Sequence, residues 1–183
     1  GRIYEIERWV MAGRPLQATE YHVKGKGYWE SPLSVAVSRG LPDVALLLLC
    51  NGYRLDLDKD WRGTPLDTAL QSRAWDFAEL LLEWGADPRW LNPESVFGTY
   101  RRDLMDRFWE AGLDFTDGHA LAWHLSEHSS NRPLYGWAKH HREDPRIARE
   151  LDIALLNAVS ENREKIVHLL LWAGANPRAQ VPF

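Results

Sequence analysis

Residues 64–88, TPLDTALQSRAWDFAELLLEWGADP, decide the fold, because their landmarks also occur 33 residues earlier, in residues 31–55, SPLSVAVSRGLPDVALLLLCNGYRL. A third copy, from Ala158 to Gly174, keeps the same 16-residue step from alanine to glycine. A repeat of this period is typical of stacked supersecondary units, each of which buries its apolar face against its neighbours.

Each copy has the features of two short helices joined by a tight turn. A hydroxyl residue followed by proline, as at Ser31 and Thr64, marks a helix start: the hydroxyl caps the helix, and proline fits its first position. Apolar residues at 44, 45, 47, 48 and 49 then form one broad buried face of a second helix. The glycines that follow the second helix, at 52, 85 and 174, suit a left-handed cap. We therefore predict an all-α fold.

These residues resemble the ankyrin repeat. Residues 64–69 stand for its Thr-Pro-Leu-His-x-Ala signature, and residues 80–88 for its Leu-Leu-Leu-x-x-Gly-Ala-Asp ending. The resemblance implies an ankyrin-like helical repeat solenoid with short β-hairpin or loop fingers. Neither strong copy has the histidine of the family, and Ser34 and Asp67 take its place. We therefore expect weaker hydrogen bonding at the start of the first helix.

The register extends over the whole chain, which we interpret as a single ankyrin-repeat domain, residues 1–183. Its divisions are a partial first repeat with a long finger (1–28), two repeats (29–60 and 61–90), two degenerate repeats (91–115 and 116–146), and a last repeat with the chain end (147–183). In the degenerate centre, residues 120–128 and 134–141 predict a helix pair, with Arg142 in the glycine position. Because the first repeat lacks its partner helix, we expect a fragment of a longer protein.

Composition argues against several classes of function. The formal charge of −4 and the pI near 6.0 provide no basic field, so we expect no nucleic-acid partner. The longest apolar run, residues 44–50, is too short to span a bilayer, so we expect no membrane partner. Cys50 is the only cysteine, which excludes an internal disulfide and favours a cytoplasmic location. Its place at the end of a leucine run predicts a buried structural thiol.

We find no set of residues that predicts catalysis. His119, His124 and His128 lie close together in the sequence, but no cysteine or glutamate completes a zinc pattern. We therefore predict no metal, no cofactor and no enzymatic activity.

The resemblance implies that a partner is bound by the fingers and by the ends of the first helices. On this sequence those positions are Tyr28, Trp29, Glu30, Ser38, Arg39, Asp60, Trp61, Arg62, Gln71, Ser72, Arg73 and Trp90, with Ser160 and Glu161 in the last copy. Trp29 and Trp61 have the greatest weight, because tryptophan, tyrosine and arginine dominate binding hot spots. Four other tryptophans, at 9, 84, 109 and 172, lie near the post-helix glycines, where we expect them to pack between repeats.

The function that we predict is a non-catalytic interaction module that binds another protein through a concave face and its fingers. The alternative is a regulatory or substrate-recruiting ankyrin segment of a larger enzyme. In that case the partner can be another domain of the same longer chain.

Overall fold

The computed structural model describes residues 2–14, 16, 31–55 and 63–179. Over these ranges the chain forms eleven α-helices and no strand, which confirms the all-α prediction. The chain divides into two compact units, Gly1–Ser95 and Val96–Phe183.

The helices of the first unit are α1 (Arg2–Met11), α2 (Pro32–Ser38), α3 (Pro42–Cys50), α4 (Pro65–Gln71) and α5 (Trp75–Glu83), and α6 (Pro93–Phe97) spans the boundary between the units. The helices of the second unit are α7 (Arg102–Glu110), α8 (Ala120–Glu127), α9 (Arg132–His140), α10 (Pro145–Ser160) and α11 (Glu164–Ala173). Short 3₁₀ turns occur at Pro88–Trp90 and Asp117–His119.

The two strong copies start their first helices as the sequence predicts. Ser31 and Thr64 cap α2 and α4 with their side-chain oxygens, and proline follows each cap. In the first unit, α2 packs on both α3 and α4, α4 packs on α5, and α1 packs on α3. The core between these helices includes Leu33, Leu66 and Leu81, which are fully or almost fully buried. Each such leucine stabilises the fold by about 1.5–3 kcal/mol.

A pair of left-handed residues recurs in four helix pairs. The second or third residue after the first helix of each pair has a positive φ, at positions 40, 73, 100 and 162. A glycine with positive φ lies twelve residues further on in each pair, at 52, 85, 112 and 174. In the second pair, the Ala86 N–H donates to Leu81 O at 2.9 Å and the Gly85 N–H donates to Leu82 O at 3.0 Å. These bonds use carbonyl groups that a helix end leaves unpaired, so the turn ends the helix at the same point in each copy.

The core of the second unit is mainly aromatic. Phe97 meets Phe115 edge to face with ring centroids 4.9 Å apart, and Phe115 meets Trp137 in the same way at 5.0 Å. Trp109 lies against Trp137 with centroids 5.5 Å apart. Trp137 is fully buried. Edge-to-face pairs of this kind add about 0.5–1.5 kcal/mol each beyond area burial.

The degenerate centre agrees with the predicted helix pair, because α8 and α9 lie within two residues of the predicted bounds. The turn after α9, where Arg142 takes the place of glycine, has no left-handed residue. The next helix, α10, has 16 residues, whereas α2 and α4 have seven each. Asp144 caps α10 and Pro145 opens it, and no glycine or proline then interrupts the chain before Ser160.

Two packing predictions are wrong. Trp9, Trp84 and Trp172 are each about half exposed, and of the four predicted tryptophans Trp109 packs in a core. Trp172 does contact the neighbouring helix pair, because Lys139 Nζ of α9 lies 4.0 Å from the centroid of its ring. Cys50 is exposed, because the buried residues of α3 are at 45, 48 and 49, and the position after them turns outward.

Glu150 connects α10 to the start of α8. Its carboxylate is almost fully buried, and it accepts from the Ala122 N–H at 3.0 Å and contacts His119 Nδ1 at 2.7 Å. This side chain therefore supplies from a distance the cap that His119, in a left-handed conformation, does not provide.

We expect Glu150→Ala to lower the free energy of unfolding by about 2–4 kcal/mol, because it leaves a buried N–H without its acceptor. Glu164→Ala is the matched control, since Glu164 is exposed on α11 and, among the described residues, its side chain forms one ion pair, with His168 at 3.8 Å. The control should change stability by less than about 0.5 kcal/mol in urea unfolding. Equal effects of the two substitutions would contradict the capping role.

Candidate partner-binding site

Six of the fourteen predicted partner-binding residues lie outside the residues that the structure describes. These are Tyr28, Trp29, Glu30, Asp60, Trp61 and Arg62, which belong to the first two predicted fingers. The other eight are described. Six of them belong to the first unit, namely Ser38, Arg39, Gln71, Ser72, Arg73 and Trp90, and two belong to the second unit, Ser160 and Glu161.

The ends of α2 and α4 present five of these residues to solvent. Ser38 and Arg39 end α2, and residues 71–73 end α4; all five are exposed. Arg73 is left-handed, with φ of 55°, which costs a non-glycine residue about 1–2 kcal/mol. Neither Arg39 nor Arg73 forms an ion pair with a described residue. Their guanidinium groups are therefore free to meet a carboxylate of a partner.

A buried carboxylate holds the start of α4. Asp67 Oδ2 accepts from the Thr64 N–H at 2.7 Å, and Thr64 Oγ1 accepts from the Asp67 N–H at 3.2 Å. These two bonds form a capping box. The expectation of weaker hydrogen bonding at this helix start is therefore wrong for α4, because the aspartate in the histidine position pairs with its own cap.

The same carboxylate positions the turn that holds Trp90. Asp67 Oδ1 accepts from the Asn92 N–H at 2.9 Å, 25 residues away. Gln71 Nε2 donates to Ser95 Oγ at 3.0 Å, which attaches the same segment to the end of α4. The segment from Asn92 to Ser95 is thus bonded to both ends of one helix.

Trp90 projects from this fixed turn. Residues 88–90 form a 3₁₀ turn where the next finger is predicted, so this part of the chain is not a hairpin. Leu91 is buried and anchors the turn, whereas Trp90 is 61% exposed. Trp90 is one wall of a shallow hollow that Leu55, Pro65 and Ala86 also line. Such a surface suits an apolar side chain of a partner.

Charges on the turn are paired within it. Asp87 accepts from the Arg89 N–H at 3.0 Å, and its carboxylate contacts the Arg89 guanidinium at 2.6 Å. The hydrogen bonds from Arg89 lower the pKa of Asp87, and those to Asp87 raise the pKa of Arg89. Both side chains are at the surface, so this pair orders the turn locally and adds little stability.

Sequence reasoning missed exposed apolar residues of the second unit. Trp123 on α8 and Val159 on α10 are each more than half exposed, and Tyr100 is exposed at the left-handed position after α6. A signal for Trp123 was present: buried residues at 121, 122 and 125 define the inner face of α8, and position 123 lies opposite.

The described ranges contain no cluster of three or more side chains that can hold a metal ion. His124 and His128 have ring centroids 4.4 Å apart, but no carboxylate or thiol joins them in such a cluster. No described helix is long and apolar enough to cross a membrane. No protein-family model matches the chain, and no curated protein matches it either.

Gly63, just before the Thr64 cap, tests the geometry around Asp67. It has φ of 107°, and a Cβ at this position would overlap Asp67 Oδ2. We expect Gly63→Ala to cost about 3 kcal/mol, the sum of backbone strain and displacement of the capping carboxylate. Gly85→Ala is the control: its φ is 90°, but no atom lies within 4 Å of the added Cβ, so it should cost about 1 kcal/mol. If urea unfolding shows that the two variants lose the same free energy of unfolding, the carboxylate of Asp67 moves aside without cost.

Asp67→Asn tests the buried charge. Burial raises the pKa of Asp67 above its ordinary value of 3.8, although bonds from Thr64, Ser95 and Asn92 lower it in part. A raised pKa means that the folded chain holds this proton more tightly than the unfolded chain. The stability that this proton provides is therefore present below pH 3.8 and is lost as the pH rises through the pKa of the folded state.

The donors around Asp67 use both oxygens of its carboxylate, whereas the side-chain amide of asparagine has one acceptor oxygen. The variant should therefore be less stable by about 1–3 kcal/mol. Only the wild type loses stability from the side chain at position 67 as the pH rises. The difference in the free energy of unfolding between the wild type and Asp67→Asn, measured in urea, should therefore narrow between pH 3.5 and pH 7. A difference that widens with pH would mean that the fold favours the ionised carboxylate.

Proposed function

We propose that this chain is a non-catalytic ankyrin-type repeat domain that acts in the cytoplasm and binds another protein. The ends of the first helices, the residues of the fingers and Trp90 form the binding surface. The helix pairs build a repeat solenoid, and neither a cofactor nor a metal takes part.

The observation that carries the proposal is the recurrence of one turn geometry. Four helix pairs have a left-handed residue after the first helix and a left-handed glycine twelve residues later. Five second helices, α3, α5, α7, α9 and α11, have nine or ten residues each. Copies of one supersecondary unit with second helices of similar length and recurring turns are typical of solenoid repeats, whose usual role is recognition along an extended surface.

The exposed side chains supply the chemistry of recognition. Arg39, Arg73 and Trp90 belong to the residue types that dominate binding hot spots, and all three are exposed on fixed backbone. Trp90 brings a large apolar area with few rotatable bonds, so ordering it on binding costs little entropy. The hollow beside it gives a partner side chain a place to pack.

Trp90→Ala is the sharpest test within the described residues. We expect the variant to lose about 2 kcal/mol of partner affinity, roughly a 30-fold increase in Kd, because the indole leaves the interface. Partners are first captured from the native host with the wild-type chain and identified by quantitative mass spectrometry. The Kd of each purified partner is then measured for the wild type and the variant.

Trp172→Ala is the matched control. Trp172 on α11 is 53% exposed, close to the 61% of Trp90, and it is a second-helix residue that is not part of the proposed surface. Its ring lies under Lys139 Nζ, 4.0 Å from the ring centroid. This control should bind partners as the wild type does. If the Trp90 variant binds normally while the Trp172 variant does not, the proposed surface is wrong and α11 contacts the partner. Thermal unfolding of both variants checks that the fold is retained.

A further inference from the structure

The arginines at the ends of α2 and α4 carry charges that the fold does not use. Arg39 is the C-cap residue of α2, and Arg73 follows the C-cap residue of α4. Both are exposed, and within the described ranges neither guanidinium forms an ion pair, a side-chain hydrogen bond or a ring contact. By contrast, Arg89, next to Trp90, is paired with Asp87 at 2.6 Å. Two positive charges at the ends of packed helices are therefore available to a partner.

The acidic residues that follow these arginines in sequence do not neutralise them. Asp43 and Asp76 lie in the first turns of α3 and α5, where the helix dipole favours a negative charge. Both are exposed, and neither forms an ion pair with a residue that the structure describes. Their charges stabilise the helix starts, and the guanidinium groups remain free for a carboxylate from outside the chain.

The backbone at Arg73 is strained, although a glycine would relieve the strain. Arg73 has φ of 55°, which is unfavourable for a residue with a Cβ. The preceding copy has glycine at the corresponding position, where Gly40 adopts φ of 64° at no steric cost. Strained backbone of this kind clusters at functional sites. Because the turn accepts glycine, the guanidinium is what arginine adds at position 73.

The hollow beside Trp90 and the guanidinium of Arg73 belong to opposite ends of α4. Thr64 and Pro65, at the start of α4, line the hollow, and Arg73 lies two residues past its end. From position 65 to position 73, a rise of 1.5 Å per residue amounts to about 12 Å. An extended peptide covers this distance with about four residues. Bonds from α4 to the segment after Trp90 keep that segment alongside the helix.

We propose that the partner binds this surface through an acidic, extended segment. An apolar side chain of the segment occupies the hollow beside Trp90, and a carboxylate about four residues away binds Arg73. A second carboxylate beside the first binds Arg39, because α2 packs on α4. This inference rests on the function proposed above and adds the chemistry of the partner to it.

The combination of an apolar hollow with two arginines favours an acidic peptide over a nucleic acid. Leu55, Pro65 and Ala86 give the hollow an apolar lining, which suits a hydrophobic side chain. A phosphate backbone needs a row of cations, because it presents a charge at every nucleotide. These two helix ends supply a pair of cations beside an apolar site, which matches a peptide with a few carboxylates and one hydrophobic anchor.

A random peptide library displayed on phage tests this chemistry, with the whole chain as the immobilised target. We expect the enriched peptides to have a bulky apolar residue and, about three to five residues from it, aspartate or glutamate. The tightest peptide is then synthesised, together with a form in which each acidic side chain is replaced by its amide. The amide form should bind at least about fivefold more weakly, and the difference should shrink as NaCl is added.

Arg73→Gln removes the charge and keeps a long polar side chain. It should raise the Kd of the acidic peptide about fivefold and leave that of the amide form unchanged. Arg149→Gln is the matched control, because Arg149 is an exposed arginine of α10 outside the proposed surface, and it should bind as the wild type does. Arg73→Gly should also bind more weakly, yet unfold in urea no more readily than the wild type, since glycine adopts this φ without strain.

The outcomes separate this inference from the function on which it rests. If the peptides lose affinity with Trp90→Ala but not with Arg73→Gln, the surface stands and the acidic partner is wrong. If they lose affinity with Arg73→Gln alone, the hollow is not the anchor and the proposed segment is wrong. If neither substitution weakens them, the surface fails as well. Enrichment of neutral or basic peptides, or no enrichment, would overturn the acidic segment.

Discussion

Short helices impose the constraint on which the rest of this structure depends. A helix of seven to nine residues, as in α2 to α5, has more unpaired end groups than internal bonds, because the first four N–H groups and the last four carbonyls lack partners within it. Packing alone cannot make such helices stable, since each buried and unpaired N–H costs about 1–3 kcal/mol. Capping side chains and end turns are therefore as important here as the apolar core.

Three buried polar side chains form hydrogen bonds with the unpaired end groups of these helices. Asp67 caps its own helix and also accepts from the Asn92 N–H. Asn131 caps α9 and binds Phe97 O, and Glu150 reaches the start of α8 from the middle of α10. Each side chain satisfies a helix start and binds a second segment. The cost of burying these polar groups is thus offset by several hydrogen bonds apiece, and the chain acquires fixed relations between segments that apolar contacts alone would not specify.

Features that depend on local sequence were predictable, and features that depend on distant partners were not. The caps at Ser31 and Thr64, and the left-handed glycines at 52, 85 and 174, follow from local preferences, and the structure confirms them. The network of Asp67 was not predictable, because its second partner is 25 residues away. Cys50 shows a second limit: in an apolar run, the exposed position is decided by which neighbours pack, and that information is not local.

The way in which Trp90 is held separates the stability of the fold from the recognition that we propose for this residue. The turn that presents it is fixed by the bond from Asn92 to Asp67, by the bond from Gln71 to Ser95, and by the burial of Leu91. None of these contacts uses the indole, so the fold does not need tryptophan at position 90. A large apolar side chain that the fold does not use, on backbone that the fold holds rigidly, loses little entropy when it is buried by a partner. This is the arrangement that a binding surface requires, and it explains how a capped helix can support an exposed indole without depending on it.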